Sequence, residues 1–203
     1  MEESRKGTTT IGLVSKDGVV LASEKRATMG YLVANKETKK IFKVQDHIWI
    51  TTAGSVADAQ KLVRIMKVQT NLYQIEREVP MKVFAAATLL SNILNENRIF
   101  PYYVQLLMGG YDTEPRLFSL DALGSVLPEK YVATGSGSPI AYGVLEEGYK
   151  ETNTTKENMK LALRALKAAM ERDVMSGNGA DIVVIKKSGF QEFSYTRKDL
   201  EKI

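Results

Sequence analysis

The sequence predicts an α+β fold in which antiparallel sheets are covered by helices in a single domain. Strand-like segments occur in pairs joined by tight turns, and the longer segments between them carry apolar residues at helical spacing. The order is strands, two helices, strands, two helices and strands, with hairpins instead of βαβ crossovers. At 203 residues, of which 44% are hydrophobic, the chain is long enough to bury its own core.

The first third of the chain contains two predicted hairpins. Residues 9–27 alternate as strand, turn and strand, with Asp17 at the turn, and Gly30 interrupts the pattern that follows. Residues 39–53 predict two more strands around a polar turn. Because residues 48–50 are apolar on both faces of the second strand, that strand is expected inside a sheet.

Two helices are predicted next. Ser55 precedes the first helix and resembles a capping box with Asp58. The apolar stripe of this helix consists of Val56, Leu62, Val63, Met66 and Tyr73. Pro80 is expected in the first turn of the second helix, which runs to about Arg98 and is apolar nearly all round. Such a helix is expected to pack between two layers.

The second half of the chain predicts a hairpin, two more helices and a last hairpin. Its strands are 102–110, 116–120, 181–185 and 190–195. A glycine-rich loop after the first hairpin enters a short helix capped by Ser138. Thr155 is expected to cap a long helix that ends at 176–179, where glycines and asparagine terminate the pattern.

Composition excludes several kinds of site. The chain has no cysteine, so disulfides, thiolate metal sites and cysteine nucleophiles are excluded. The single histidine, His47, disfavours a Ser-His-Asp triad and excludes a multi-histidine metal site. No window of about 18 apolar residues occurs, and the charged segment Met1–Gly7 does not resemble a secretory signal. We therefore expect no membrane partner.

The charge pattern argues against a nucleic-acid interface. The net charge is +4, but the basic residues are scattered and no basic run is longer than two residues. A mixed-charge solvated surface explains this pattern better than a nucleic-acid patch, which would also need aromatic residues between the basic ones.

Three consecutive threonines follow Gly7, and they have two interpretations. β-branched residues are ordinary strand material, so Thr8 and its neighbours are explained by structure alone. The functional alternative is a threonine nucleophile. In a chain without cysteine, a free α-amino group with a pKa of about 7.7–8.0 is a suitable base. This alternative requires the chain to be cut before Thr8.

Lys40 and Glu24 are charged residues on predicted strands with partly apolar faces. By alternation Lys40 shares a face with Thr38 and Phe42, where a lysine either extends to solvent or pairs with a carboxylate. Burial would lower the pKa of its ammonium group. Glu24 needs a cationic partner, and both Arg26 and Lys40 are candidates.

Two further positions have features typical of a site. Asp173 lies at the carboxyl end of the long predicted helix, where a negative charge is unfavourable, and Ser176 follows at the spacing that shares a helix face. Either the helix end frays or the aspartate serves a site. Gly54 immediately precedes a helix start, where backbone N–H groups are able to stabilise an anion.

Taken together, these residues belong to motifs that resemble a known family, the β-subunits of the proteasome core particle, specifically the archaeal type. The resemblance covers residues 7 to about 195. The motifs, in order, are GTTTIG at 7–12, EKRATMG at 24–30, KKIF at 39–42, TTAGSVADAQ at 51–60, LLSNILN at 89–95, TGSGSPIAYGVLE at 134–146 and RDVMSGNGADIVVI at 172–185. Each motif is weak alone, and the combination is specific.

The resemblance implies a fold and a set of roles. The fold is the four-layer αββα sandwich of the N-terminal-nucleophile hydrolases, here residues 8–203, after autocatalytic removal of the propeptide 1–7. Thr8 matches the nucleophile, and Gly7–Thr8 matches the cleavage site. The other catalytic positions are Lys40, Glu24 (where many members carry Asp), the oxyanion donor Gly54, and Ser136, Asp173 and Ser176. The lining of the specificity pocket is Ala27, Thr38, Phe42, Thr52 and Val56.

The resemblance also implies partners and a location. The chain is expected to be a cytoplasmic threonine endopeptidase without a cofactor or metal, which degrades unfolded proteins inside a barrel. It would form seven-membered rings with itself or a sister β-subunit, stacked against rings of proteasome α-subunits and served by an ATP-driven unfoldase. Two alternatives are a structural or processing-deficient β-subunit that needs a sister, and the simpler bacterial two-ring protease.

Overall fold

The computed structural model describes residues 7–202 and has two stacked antiparallel sheets with helices on their outer faces. The strands are β1 Thr9–Ser15, β2 Gly18–Glu24, β3 Ala27–Met29, β4 Leu32–Asn35, β5 Ile41–Gln45, β6 Ile48–Gly54, β7 Val104–Tyr111, β8 Pro115–Leu120, β9 Val126–Pro128, β10 Tyr131–Gly135, β11 Gly179–Lys186 and β12 Gly189–Thr196. The helices are α1 Val56–Arg77, α2 Val83–Glu96, α3 Ser138–Gly148, α4 Thr155–Arg172 and α5 Arg197–Leu200.

Both large sheets are five-stranded and antiparallel. The first has the order β10-β1-β2-β11-β12, and the second has the order β5-β6-β7-β8-β9. The register of the first sheet pairs Thr10 with Ser23 on one side and with Thr134 on the other. The short β3–β4 hairpin forms a two-stranded ribbon of its own.

The apolar core has three parts, which define four layers. Between the sheets lie side chains such as Leu21, Trp49 and Leu107. A second cluster joins the other face of the β5–β9 sheet to α1 and α2, and a third joins the β1 sheet to α3 and α4. The predicted α+β sandwich of antiparallel sheets flanked by helices is therefore confirmed.

Side-chain caps fix the starts of the long helices. The Ser55 hydroxyl accepts the N–H of Asp58 at 3.4 Å and so caps α1. The predicted reciprocal half of this box is absent, because the Asp58 carboxylate accepts the N–H of Tyr103 at 3.0 Å. Thr154, one residue before the predicted cap, forms a complete capping box with Glu157 at the start of α4. Gly137 likewise precedes α3 one residue before the predicted Ser138.

The prediction for the second helix was wrong in two respects. Pro80 lies outside α2, which begins at Val83 after Lys82. The helix also does not lie between layers, since it packs on one sheet and leaves Phe84 57% exposed in the single chain. Within residues 7–202, no helix is long and apolar enough to cross a membrane.

Candidate active site

The candidate site lies where β1 and β5 begin, where β2 and β6 end, and where the loop after α4 passes. Thr8 immediately precedes β1 and is only 5% exposed. Its hydroxyl donates to the carbonyl oxygen of Gly7 at 2.7 Å, and its N–H donates to the hydroxyl of Ser136 at 3.2 Å. The Thr8 oxygen therefore lies against the carbonyl group of the peptide bond that joins it to Gly7.

Lys40 and Glu24 form a buried ion pair beside Thr8. Lys40 is 4% exposed and Glu24 is 0% exposed, and the ammonium group contacts the Glu24 carboxylate directly. The same ammonium donates to the carbonyl oxygen of Arg26 at 2.5 Å. The guanidinium of Arg26 points elsewhere, to Asn178 at 2.8 Å and to the carbonyl of Val174 at 2.7 Å. Lys40, rather than the Arg26 side chain, is therefore the cation that faces Glu24.

Backbone donors complete the surroundings of Glu24. Its carboxylate accepts the N–H groups of Arg26 at 2.6 Å, Gly177 at 3.1 Å and Thr9 at 3.4 Å. Burial raises the pKa of Glu24 and lowers the pKa of Lys40, while the attraction between the two charges opposes both changes. The pair therefore places a desolvated ammonium next to the candidate nucleophile.

Asp173 joins the two serines of the site. It follows α4 as the C-cap, and its Oδ2 accepts the hydroxyls of Ser136 at 2.6 Å and Ser176 at 2.7 Å. Its Oδ1 accepts the N–H of Met175 at 3.1 Å. These donors explain why an acidic residue stands at the unfavourable end of a helix dipole, so the fraying alternative is not needed.

Gly54 occupies a backbone conformation that requires glycine. Its φ is +115°, and a Cβ at this position would lie 2.3 Å from the carbonyl oxygen of Tyr103. It ends β6 directly before Ser55, the cap of α1. A backbone N–H at such a place is of the kind that stabilises a developing oxyanion.

A pocket of about 210 Å³ opens beside Thr8 and Lys40. The predicted residues that line it are Ala27, Phe42, Thr52 and Val56. Thr38 is not among the lining residues, and its N–H donates to the carbonyl of Lys25 at 2.8 Å. Lining residues that the sequence did not predict are Thr28, Met29, Ala34, Lys39 and Ala59. Three of these come from the β3–β4 hairpin, which the sequence pattern did not reveal.

A second and larger cavity, of about 840 Å³, meets the first at Gly54. It extends to Ser136 and Asp173, and its apolar walls include Tyr31 and Leu123. The two cavities form a groove on both sides of Gly54, which suits an extended chain with the reacting bond near that residue.

Comparisons with known proteins agree with this geometry. A sequence model of the family described as "Proteasome subunit" matches residues 4–185. Proteasome subunit beta of Methanosphaerula palustris is 57% identical over 197 residues, which cover 96% of this chain and 93% of the relative. Proteasome subunit beta of Methanoregula boonei is 54% identical, over 95% of this chain and 92% of the relative. That of Methanocaldococcus fervens is 53% identical, over 98% and 89%.

The family match and the relatives cover nearly the whole chain, including every strand and helix that contributes to the site. Sequence identity of more than 50% over nearly the full length of both chains indicates that this chain and its relatives share one fold along their whole length. The chain therefore belongs to the proteasome subunit family.

Proposed function

We propose that this chain is a threonine-type endopeptidase subunit of the proteasome core particle, with Thr8 as its nucleophile. The observation that carries the proposal is the position of the Thr8 hydroxyl, 2.7 Å from the Gly7 carbonyl oxygen, while the Thr8 nitrogen faces Ser136. Lys40 lies in the same pocket wall as Thr8. By contrast, His47 contacts the carbonyl of Met81 at 2.9 Å and is not part of the site.

The first reaction of this nucleophile is the removal of the propeptide 1–7. Residues 1–6 lie outside the described part of the chain, and the described part includes the Gly7–Thr8 bond that is cut. The Thr8 oxygen attacks the Gly7 carbonyl carbon, and the bond to the Thr8 nitrogen breaks to leave an ester. Water then hydrolyses the ester, which releases the propeptide as a carboxylic acid and leaves Thr8 with a free amino group.

The freed amino group is the proposed base for cleavage of other chains. It takes the proton of the Thr8 hydroxyl, and the nearby Lys40 ammonium lowers the cost of the alkoxide electrostatically. Attack on a substrate carbonyl produces an oxyanion, which the Gly54 N–H stabilises. The proton passes to the departing amine, and water hydrolyses the acyl ester. Ser136 and Asp173 orient the amino group through the contacts described above.

The pocket beside Thr8 supports cleavage after large hydrophobic residues. Apolar side chains of Ala27, Met29, Phe42 and Val56 contribute to its wall, and the polar Thr52 is 7% exposed at its surface. Lys39 and Lys40 also line the pocket, but Lys40 is already paired with Glu24. The rest of the wall is mostly apolar, so the desolvation cost of a charge favours an apolar substrate side chain there. The pocket therefore supports cleavage after apolar residues, and membership of the family supports unfolded protein as the substrate.

Assembly with other subunits completes the proposed function. Large apolar side chains stand exposed on the single chain, among them Ile75, Phe84, Ile99 and Phe100. Exposed apolar surface of this kind supports contacts with other proteins. We assign these contacts to seven-membered rings of this chain or a sister β-subunit, and to rings of α-subunits. An ATP-driven unfoldase would feed the barrel in the cytoplasm.

Intact mass and N-terminal sequence test the proposal directly. The full chain is purified with and without α-subunits, and a Thr8→Ala variant is the control. A new terminus at Thr8 in the assembled wild type, absent in Thr8→Ala, is the expected result. An intact Met1 in an assembled and inactive particle would favour the alternative of a structural or processing-deficient subunit.

A further inference from the structure

Thr9, the residue after the proposed nucleophile, has its side chain in the site rather than in the apolar core. It is fully buried, and its hydroxyl oxygen lies 2.7 Å from that of Ser176. Room for this hydroxyl comes from Gly137, since a Cβ there would lie 2.1 Å from the Thr9 oxygen. A threonine hydroxyl inside a fold needs a partner, and here the partner is a residue of the site.

The donor directions in this cluster follow from counting protons. An ionised carboxylate only accepts, so Ser176 uses its single proton on Asp173, at 2.7 Å. The oxygen of Ser176 must then accept, and the Thr9 hydroxyl is its donor. Ser136 likewise donates to the same Asp173 oxygen at 2.6 Å and accepts the Thr8 N–H at 3.2 Å.

The result is a closed circuit of hydrogen bonds. One branch runs from the Thr8 nitrogen through Ser136 to Asp173, and the other runs from the Thr9 hydroxyl through Ser176 to the same carboxylate oxygen. Since Thr8 and Thr9 are adjacent in the chain, the backbone closes the circuit. The Thr9 N–H also donates to Glu24 at 3.4 Å, so Thr9 touches both charged centres of the site.

From this circuit we infer that Thr9 is a positioning residue for Thr8, acting through the Thr9 hydroxyl, Ser176 and Asp173. Because Thr9 donates to the Ser176 oxygen, Ser176 directs its own proton to Asp173. This holds Asp173 in place as the acceptor for Ser136, and Ser136 in turn orients the Thr8 nitrogen. The inference rests on the proposed function of Thr8. Thr9 lines neither cavity of the groove, so it acts on the reacting group and not on substrate binding.

The test compares Thr9→Val, which keeps the shape and removes the donor, with Thr9→Ser, which keeps the donor. Both full chains are assembled with α-subunits, and the number of chains that begin at Thr8 is counted by intact mass. The probe is a short peptide with a phenylalanine before a fluorescent leaving group. Thr9→Val should lower kcat per processed chain about tenfold with little change in KM, and Thr9→Ser should restore it.

Thr10→Val is the matched control. Thr10 is equally buried, and its hydroxyl contacts those of Thr134 at 2.6 Å and Thr51 at 3.1 Å, away from Asp173. It should lower stability and leave kcat unchanged. An unchanged kcat in Thr9→Val, or an equal loss in Thr9→Val and Thr9→Ser, would overturn the inference.

A last variant covers the case in which Thr9→Val does not assemble. Thr9→Cys has a weaker donor of similar size, so its kcat should fall below that of Thr9→Ser, and equal values would overturn the inference. Thr8→Ala tests the proposed function of Thr8 separately from the role of Thr9. If the wild-type particle is no more active than Thr8→Ala, the proposed function fails and the inference fails with it.

Discussion

The ammonium of Lys40 lies between the carboxylate of Glu24 and the carbonyl oxygen of Arg26, with less than a twentieth of the Lys40 surface exposed to solvent. Both contacts come from one short segment, the last residue of β2 and the residue two positions after it. An ion pair at this depth adds little net stability, because the desolvation of both charges offsets their attraction. Its value is to keep a fixed positive charge beside Thr8.

Lys40→Met should therefore affect both stability and activity. It leaves the Glu24 carboxylate buried without its cation, and such a change typically lowers the free energy of unfolding by about 3–5 kcal/mol. Peptide hydrolysis should fall about 10²–10³-fold, as when one preorganised electrostatic contact is removed from an active site. Urea unfolding and kcat on a fluorogenic peptide measure the two effects.

Lys43→Met is the control for that experiment. Lys43 pairs with Asp46 at 3.0 Å on the exposed face of β5, and surface pairs of this kind contribute about 0–1 kcal/mol. It should leave both readouts close to wild type. Equal activity in Lys40→Met and Lys43→Met would remove Lys40 from the proposed mechanism.

Gly7→Ala should slow the removal of the propeptide. A Cβ at Gly7 would lie 2.0 Å from the Cβ of Met175, so the carbonyl that Thr8 attacks must move. A displacement of about 1 Å of a reacting group costs on the order of 10²-fold in rate. A time course of intact mass after assembly with α-subunits measures this rate.

Two further variants make that result specific. Gly143→Ala adds a methyl group on α3 where nothing lies within 4 Å, so processing should be unchanged. Met175→Gly combined with Gly7→Ala removes the Cβ that the new methyl group would meet, and it should recover part of the rate. If Gly7→Ala matures as fast as wild type, the contact with Met175 does not constrain the cleaved bond.

The periodic pattern of the sequence predicted the layers well, because alternation and helical spacing report which face of an element is buried. It predicted the hairpin of β1 and β2, the inner position of β6 and the helix that starts after Ser55. It missed β10, a five-residue strand whose end places Ser136 beside Thr8, and the short strands β3 and β4.

The periodic pattern of apolar residues could not predict contacts between residues that are far apart in the sequence. The residues 8 and 136 are 128 positions apart, and periodicity indicates a face but not the residue across from it. The choice between Arg26 and Lys40 for Glu24 was open for the same reason. The wrong prediction for α2 has another cause. An apolar composition all round a helix indicates that much of its surface is suited to burial, but it does not indicate in which layer of the fold the helix lies.

Asp112 should make stability depend on pH in the acid range. Its carboxylate accepts the N–H of Val83 at 2.9 Å and so satisfies a backbone donor at the start of α2. Burial tends to raise the pKa of Asp112, but hydrogen bonds from Val83 and Thr113 outweigh it, and the pKa is lowered from 3.8. A lowered native pKa means that the added stability is full above 3.8 and is lost as the pH falls through the native value.

Urea unfolding between pH 7 and pH 2.5 measures this contribution. Asp112→Asn keeps the size of the side chain and removes the titration, so it should lower stability by about 1 kcal/mol at pH 7 and reduce the loss below pH 4. An identical slope of stability against pH in both proteins would show that Asp112 is not the group responsible.

Ala27→Leu should change which residue the enzyme cuts after. Ala27 lines the pocket of about 210 Å³ beside Thr8, and the three carbon atoms that leucine adds would occupy part of that volume. Substrates with phenylalanine before the cut should lose kcat/KM by about 10–200-fold for each methylene that no longer fits, whereas alanine substrates should not. Parallel assays on the two peptides measure the ratio of their kcat/KM values.

Because Thr8, Lys40 and Glu24 keep their contacts, propeptide removal after Gly7 should proceed at the wild-type rate. A uniform loss on both peptides would instead mean that the pocket does not receive the side chain before the cut.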